Sequence, residues 1–224
     1  TERTADEYGA MLLPLFGRAG IAPASASAVI VSSVVPPLNT TLNRLSSEFF
    51  GRPPLYVEPG IRTGMPIRYD NPAEVGADRI VNAVAARELY GAPVVVVDFG
   101  TATTFDLVNA AGEYAGGIIA PGILISAEAL FAHASRLYRV DVRRPADLIG
   151  RNTAGAMQAG IYFGYIGLVD GILERLQAEV PGLREIVATG GQAELIASGS
   201  RFIRKTEPLL TMIGLKLIHE RNRA

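Results

Sequence analysis

The residues best suited to chemistry follow a run of four valines. Residues 94–97 are all Val, and Asp98-Phe99-Gly100-Thr101 comes directly after them. Four consecutive valines predict a strand that is buried on both faces, so Asp98 should lie at the end of a central strand. There Gly100 would let the backbone approach a phosphate closely, Thr101 could donate a hydrogen bond, and Asp98 could hold a cation. An ordinary β-hairpin with locally satisfied side chains is the alternative interpretation.

A second candidate is Gly76-Ala77-Asp78-Arg79, just inside a helix that the spacing predicts over residues 72–90. In the functional interpretation, Asp78 is the general base for a substrate hydroxyl and Arg79 binds an anionic group. The helix dipole by itself also favours an acidic residue in the first turn. The local pattern therefore leaves both interpretations open.

Three further segments carry glycine or a small polar residue at predicted turns. Gly190-Gly191 follows a hydrophobic strand, and paired glycines at a strand-to-helix turn permit the close approach of a phosphate-bearing or flat ligand. The glycines of residues 116–122 (GGIIAPG) fit packing and turn positions equally well. Asn152 or Thr153 is typical of a helix N-cap. The two histidines of the chain are interpreted as structural or exposed.

Composition excludes several classes of protein. The 224 residues are enough for one large domain or two smaller ones, and 49% of them are hydrophobic, which supplies a packed core. The formal net charge of -1 gives no general attraction for nucleic acid or an anionic membrane surface. The absence of cysteine excludes disulfides, thiolate metal sites and a cysteine nucleophile. With no apolar run of about 18 residues and no signal-peptide pattern, we expect a cytoplasmic protein without membrane or nucleic-acid partners.

The order of predicted elements indicates an α/β fold in two parts, residues 1–92 and residues 93–224. The second part begins with a three-stranded meander, and helices and strands then alternate. These elements lie at about residues 94–97, 103–108, 114–119, 121–135, 152–180, 186–188 and 208–221. This order is typical of the ribonuclease-H-like fold. Kinases of the actin/hexokinase type contain that fold twice, with the nucleotide in the cleft between the copies.

The first part has helices and two short strands but no opening meander. The predicted helices cover residues 4–17, 36–50 and 72–90, and the predicted strands cover residues 28–34 and 56–57. We therefore expect a first ribonuclease-H-like domain that is incomplete at its N-terminus.

Nine short segments, taken together and in order, resemble the type III pantothenate kinases. They are TADE at 4–7, EPGIRTG at 58–64, DNP at 70–72, GADRIVNAVAA at 76–86, DFGTATTFD at 98–106, GGIIAPG at 116–122, GRNT at 150–153, MQAG at 157–160 and ATGG at 188–191. The segments DFGTATTFD and GADR are the most specific, and the match spans nearly the whole chain. The family transfers a phosphoryl group from ATP to pantothenate, which gives 4′-phosphopantothenate in the first committed step toward coenzyme A.

The resemblance implies a role for each matching position. Asp78 would take the proton from the pantothenate hydroxyl, and Arg79 would face the pantothenate carboxylate. Asp98 would hold a monovalent cation, K⁺ or NH₄⁺, and Mg²⁺ is expected with ATP. The other implied pantothenate contacts are Tyr69, Gly76, Ala77 and Thr153, of which Thr153 would come from the partner subunit of a homodimer. The implied ATP contacts are Gly100, Thr101, Gly190 and Gly191.

One departure from the family pattern leads to a further expectation. Members of the family begin with a strand and an Asp-x-Gly-Asn-Thr phosphate loop upstream of the TADE helix, whereas this sequence begins at Thr1. We expect the true N-terminus to lie outside it, through truncation or disorder. The alternatives are a kinase of another small hydroxylated metabolite and a non-catalytic accessory or regulatory protein of the same fold. A Rossmann oxidoreductase is disfavoured because no G-x-G-x-x-G joins a strand to a helix.

Overall fold

The computed structural model describes residues 3–133 and 137–223. In this part of the chain there are seven α-helices and seven strands. The helices are α1 (Ala5–Ala19), α2 (Asn39–Phe49), α3 (Ala77–Tyr90), α4 (Ile123–His133), α5 (Thr153–Glu179), α6 (Ala193–Ala197) and α7 (Leu210–Arg221). The strands are β1 (Val29–Val31), β2 (Pro54–Tyr56), β3 (Val94–Phe99), β4 (Ala102–Val108), β5 (Tyr114–Pro121), β6 (Glu185–Thr189) and β7 (Lys205–Thr206).

The main sheet has five strands in the order β5-β4-β3-β6-β7. The strands β3, β4 and β5 form an antiparallel meander, and β6 and β7 add parallel strands on the other side of β3. The turn between β4 and β5 is stabilised by Asn109, whose side-chain oxygen accepts hydrogen bonds from the backbone of Ala111 and Glu113. This topology confirms the predicted α/β order of the second part.

The four valines of residues 94–97 form the central strand, as predicted. They are fully buried, because β3 is a central strand between β4 and β6 and both of its faces pack into hydrophobic cores. Val94 and Val96 pack into a core with α3 and α7, whereas Val95 and Val97 pack into a second core with α5. The sheet is thus covered on both faces, and polar groups on β3 can reach solvent at its ends.

Several predicted boundaries differ from the structure. The strand predicted over residues 28–34 is shorter in the structure, where only β1 (Val29–Val31) forms. The chain leaves the extended conformation before the 3-10 turn at Pro36–Leu38. The helix predicted from residue 72 is divided into a 3-10 turn, Pro72–Glu74, and α3. The short elements α6 and β7 were not predicted, since neither is long enough to give a periodic pattern. The predicted end of α4, near residue 135, lies outside the described residues.

The first part of the chain forms its own small sheet, in which β1 and β2 pair in parallel. Ile30 of β1 and Val57, which follows β2, nevertheless pack into the same core as α3 and the main sheet. The boundary at residues 92 and 93 stays a prediction, and the hydrophobic core is continuous across it.

Among the described residues, α5 alone is long and apolar enough to cross a membrane by length and composition. Its residues Tyr165, Val169 and Leu173 are buried against β3 and β6. Burial of one helix face against a sheet is what a core helix shows, and 44% of the most apolar window of α5 is buried.

Candidate active site

Two of the predicted segments meet at the carboxyl ends of neighbouring parallel strands. Asp98 of β3 pairs in register with Thr189 of β6, so the Gly190-Gly191 turn lies beside Asp98. Gly190 has a φ of 91°, and a β-carbon placed there would lie 2.6 Å from Asp98 Oδ1. Only glycine fits this position. A β-carbon on Gly191 would have no heavy atom within 4 Å, so space beside this turn is open to a ligand.

The Gly100-Thr101 turn is held tightly against the end of β5. The backbone N–H of Gly100 donates to the carbonyl of Ala102, and that of Gly122 donates to the carbonyl of Thr101. A β-carbon on Gly122 would lie 2.2 Å from the Thr101 carbonyl oxygen, which explains glycine there as a packing residue. Thr101 itself is exposed and free to contact a ligand at this strand end.

Asp78 lies in the first turn of α3, as predicted. Its Oδ1 accepts a hydrogen bond of 2.9 Å from the backbone N–H of Arg79. A β-carbon on Gly76 would lie 2.6 Å from the same oxygen, so glycine at 76 makes room for this carboxylate. An acidic side chain in the first turn also complements the positive end of the helix dipole, so both interpretations of Asp78 remain compatible with this geometry.

A hydrogen-bonded chain connects Asp98 to two helices. Asn82 Nδ2 donates to Asp98 Oδ2 over 2.9 Å, and Thr211 Oγ1 of α7 donates to Asn82 Oδ1 over 2.7 Å. Asn82 is buried and lies one helical turn after Asp78, on the same face of α3. Sequence reasoning missed Asn82 and Thr211. The spacing of four residues from Asp78 could have indicated Asn82, but no local signal indicates Thr211.

The electrostatics of Asp98 fit a bound cation. Burial, and then the nearby carboxylate of Asp78, raise the pKa of Asp98 above its usual value, while the hydrogen bond from Asn82 acts in the opposite direction. A cation beside Asp98 would relieve this repulsion. Among the described residues no cluster of three or more His, Asp or Glu side chains forms a metal site, so an ion here would rely on Asp98 and on backbone oxygens.

Arg79 is paired inside the protein. Only 8% of the residue is exposed, and its Nε donates to Asp106 Oδ1 over 2.8 Å. Tyr114 Oη donates to the same oxygen over 2.7 Å. Burial, and then the charge of Asp106, raise the pKa of the Tyr114 hydroxyl, so this group stays a donor. Asp106 belongs to the DFGTATTFD segment, but its pairing with Arg79 was not predicted.

Tyr69 lies next to this ion pair. The backbone of Arg68 donates to the carbonyl of Tyr114, and the backbone of Tyr114 donates to that of Pro66, which fixes the segment before Tyr69 against β5. The ring centroids of Tyr69 and Tyr114 are 6.4 Å apart. Tyr69 and Arg79, two of the predicted site residues, thus both lie beside the ring of Tyr114.

Ala77 lies in the first turn of α3 but lines a different pocket, whereas Thr153 lies on another helix. Ala77 lines a largely apolar pocket of about 360 Å³ together with Ile61, Met65 and Ile80, and none of the charged candidate residues lines that pocket. Thr153 begins α5, which packs on the opposite face of the sheet from α3. Asn152 caps this helix, since its Oδ1 accepts a hydrogen bond of 2.8 Å from the N–H of Gly155, as the N-cap interpretation predicted.

Comparison with known proteins identifies the family. A family model for type III pantothenate kinases matches residues 1–175 of the chain. This chain belongs to the type III pantothenate kinase family.

Close relatives span nearly all of the chain. A type III pantothenate kinase of Koribacter versatilis is 56% identical over 222 residues, which cover 99% of this chain and 81% of the relative. A type III pantothenate kinase of Geobacter sulfurreducens is 58% identical over 221 residues, which cover 99% of this chain and 87% of the relative.

Solved structures support the fold of this type III pantothenate kinase family member. A Campylobacter jejuni protein described as a Baf family transcriptional activator aligns with a TM-score of 0.61 at 22% identity, over 88% of this chain and 84% of that one. The Clostridium difficile activator of 2-hydroxyisocaproyl-CoA dehydratase, with bound ADPNP, aligns with a TM-score of 0.51 at 12% identity, over 93% and 80%. At these identities the likeness concerns the fold alone.

The raised pKa of Asp98 predicts that its ionised carboxylate lowers the stability of the folded protein. Since the folded-state pKa lies above the unfolded value, the ionised carboxylate lowers stability as pH rises through that pKa. Without ATP and K⁺, Asp98→Asn should therefore increase the free energy of unfolding at pH 7 by about 1 kcal/mol. The gain should vanish near pH 3, where the carboxyl is protonated in both states.

Denaturant unfolding at the two pH values measures this difference. Asp147→Asn, at an exposed position, serves as the control and should change stability at neither pH. A lower stability of Asp98→Asn at pH 7 would contradict the prediction.

Proposed function

We propose that this protein transfers a phosphoryl group from ATP to the hydroxyl of pantothenate, the first step of coenzyme A biosynthesis, with Asp78 as the general base. The observation that carries the proposal is the convergence of α3 with the strand ends at Asp98 and Gly190, where Asn82, one helical turn after Asp78, donates a hydrogen bond to Asp98. The relatives that span 99% of the chain are pantothenate kinases, which supports pantothenate as the acceptor.

Phosphoryl transfer needs a positioned hydroxyl, a base and neutralisation of charge, with little covalent work by the protein. Asp78 would accept the hydroxyl proton while the backbone N–H of Arg79 holds its Oδ1. The second carboxylate oxygen remains available to the substrate. No cysteine or histidine is required for this chemistry.

The nucleotide would lie at the carboxyl ends of β3 and β6. Gly100 and Thr101 would approach the phosphates on one side, and Gly190 and Gly191 would approach the nucleotide on the other. Asp98 would hold K⁺ or NH₄⁺, and Mg²⁺ would accompany ATP; when bound, these ions would neutralise phosphate charge. In this proposal the site lies between two ribonuclease-H-like domains, residues 1–92 and residues 93–224.

Pantothenate would be held by Tyr69, Gly76, Ala77 and Arg79, with Thr153 supplied by a partner subunit. The position of Thr153 supports this last point. It lies on α5, which covers the face opposite α3, roughly 18 Å along the helix from the buried Tyr165. A contribution to the site beside Arg79 would therefore come from a second copy in a cytoplasmic homodimer.

The test is release of ADP by the full-length protein, with and without pantothenate, in K⁺ and in Na⁺. We expect turnover that requires pantothenate and is faster in K⁺. Turnover only with another small hydroxylated metabolite would favour the alternative kinase. No turnover with any acceptor would favour the accessory-protein alternative.

A further inference from the structure

We propose that Asp106, together with the hydroxyls of Tyr114 and Thr104, positions Arg79 to recognise the substrate carboxylate. Asp106 acts through Arg79 and is a positioning residue that does not touch the substrate. The proposal rests on the proposed function, because it specifies how the protein recognises the carboxylate of pantothenate.

Asp106 is a fully buried carboxylate surrounded by donors from three elements. Its Oδ1 accepts hydrogen bonds from Arg79 Nε of α3 and from Tyr114 Oη of β5, and its Oδ2 accepts one of 2.9 Å from Thr104 Oγ1 of β4. A buried charge is tolerated only when it is paired and hydrogen-bonded. The arrangement thus fixes one orientation of the Arg79 guanidinium.

Arg79 keeps unused hydrogen-bonding capacity in this orientation. A guanidinium has five N–H donors, and among the described residues only the Nε–H of Arg79 makes a hydrogen bond. Its Nη2 lies 2.7 Å from Asp106 Oδ1, as an ion pair without hydrogen-bond geometry, and is buried with no hydrogen-bond partner. The ion pair with Asp106 thus occupies Nη2. Nη1 is not among the buried unpartnered atoms and makes no hydrogen bond to the described residues, so a carboxylate ligand would accept hydrogen bonds from Nη1.

The opposing strand leaves room for this orientation. Gly117 of β5 pairs in register with Asp106, and a β-carbon there would lie 2.7 Å from Arg79 Nη2. The guanidinium carbon lies 6.0 Å from the ring centroid of Tyr114. Tyr114 therefore restrains Arg79 in two ways. Its ring lies beside the guanidinium, and its hydroxyl donates to Asp106, which pairs with Arg79.

The hydroxyls have a second effect on recognition. Asp106 and the substrate carboxylate would compete for the positive charge of Arg79, since both are anions beside one guanidinium. Hydrogen bonds from Tyr114 and Thr104 disperse the negative charge of Asp106, which leaves more of the field of Arg79 for the substrate. Because the Arg79–Asp106 pair is neutral as a whole, recognition depends on directed N–H donors and is sensitive to geometry.

The experiment compares two acceptors in steady-state kinetics. One is pantothenate, and the other is the analogue in which a primary alcohol replaces the carboxylate. For Tyr114→Phe and Thr104→Val we expect the KM for pantothenate to rise about tenfold, which corresponds to the loss of one buried hydrogen bond. We expect changes of less than about twofold in three other quantities: the KM for the alcohol analogue, the KM for ATP, and kcat. These quantities do not depend on the contact between Arg79 and the substrate carboxylate.

Tyr162→Phe is the matched control. Tyr162 is equally buried, but it lies on α5, where its hydroxyl is directed at the carbonyl of Leu195. This variant should leave both KM values unchanged. Asp106→Asn should raise the KM for pantothenate further. Its melting temperature is measured as well, because the substitution removes a buried charge. If Asp106→Asn does not fold, the two hydroxyl variants still decide the test.

Two results would overturn the inference in different ways. If Tyr114→Phe raises the KM for both acceptors equally, its hydroxyl acts on the general structure of the site and does not act through the carboxylate. If the wild-type protein does not phosphorylate pantothenate at all, the proposed function fails and the inference fails with it.

Discussion

Asp78→Asn should reduce kcat for pantothenate phosphorylation by about 10³-fold, because general base catalysis typically contributes 10²- to 10⁴-fold. The amide retains an oxygen that can accept the hydrogen bond now made by the Arg79 N–H. The fold and the KM for ATP should therefore change little. Steady-state ADP release, with a melting curve for each protein, measures both parts of this expectation.

The competing explanation for Asp78 is complementarity to the helix dipole, and a matched variant separates the two. Asp6 lies in the first turn of α1 and is exposed, so Asp6→Asn removes an equivalent charge from a helix start. We expect Asp6→Asn to leave kcat unchanged. The loss of a favourable charge at a helix start seldom changes a rate by more than about tenfold. If Asp78→Asn lowers kcat by less than about tenfold, Asp78 is therefore not the base.

Gly190→Ala should produce the second large effect. Alanine at a φ of 91° is strained, and its β-carbon would lie 2.6 Å from Asp98 Oδ1 and 2.7 Å from the Phe99 carbonyl group. The backbone and the Asp98 carboxylate must both move. We expect a loss of about 2 kcal/mol or more in stability and at least a tenfold loss in kcat/KM for ATP.

Gly191→Ala isolates the contribution of the ligand. A β-carbon at residue 191 meets no protein atom within 4 Å, so the free protein should keep its stability. If the nucleotide approaches this turn, the KM for ATP should nevertheless rise in Gly191→Ala. Gly17→Ala is the control, because a β-carbon at Gly17 of α1 also meets no atom within 4 Å. This variant should neither lower the stability nor raise the KM for ATP. Wild-type ATP kinetics in both Gly190→Ala and Gly191→Ala would place the nucleotide elsewhere.

These expectations share one structural cause. Asn82, one helical turn after Asp78, links α3 to Asp98 at the end of β3, and Thr211 connects Asn82 to α7. The site is therefore built from rigid elements whose relative positions are set by the two cores. Rigid support of this kind is what positioned phosphoryl transfer requires.

The sequence by itself determined the central strand and the segments at its end. Four consecutive valines leave no polar face, so residues 94–97 had to be buried on both sides, and Asp98 had to follow at the strand end. Proline and glycine likewise limited the helix that carries Asp78, although its first residue was misplaced because a 3-10 turn resembles a helix start locally. The periodicity of apolar residues shows which face of a helix or strand is buried. The position of the central strand and of this helix could therefore be predicted from neighbouring residues alone.

Only the tertiary structure decided which polar side chains meet. Arg79 reaches Asp106 because α3 crosses β4 at one particular register, and Asn82 reaches Thr211 because α3 and α7 pack side by side on one face of the sheet. The same packing places Thr153 on the other face. Hydrogen-bond partners distant along the chain are set by strand register and helix packing, which depend on the whole core and leave no periodic signal near either partner.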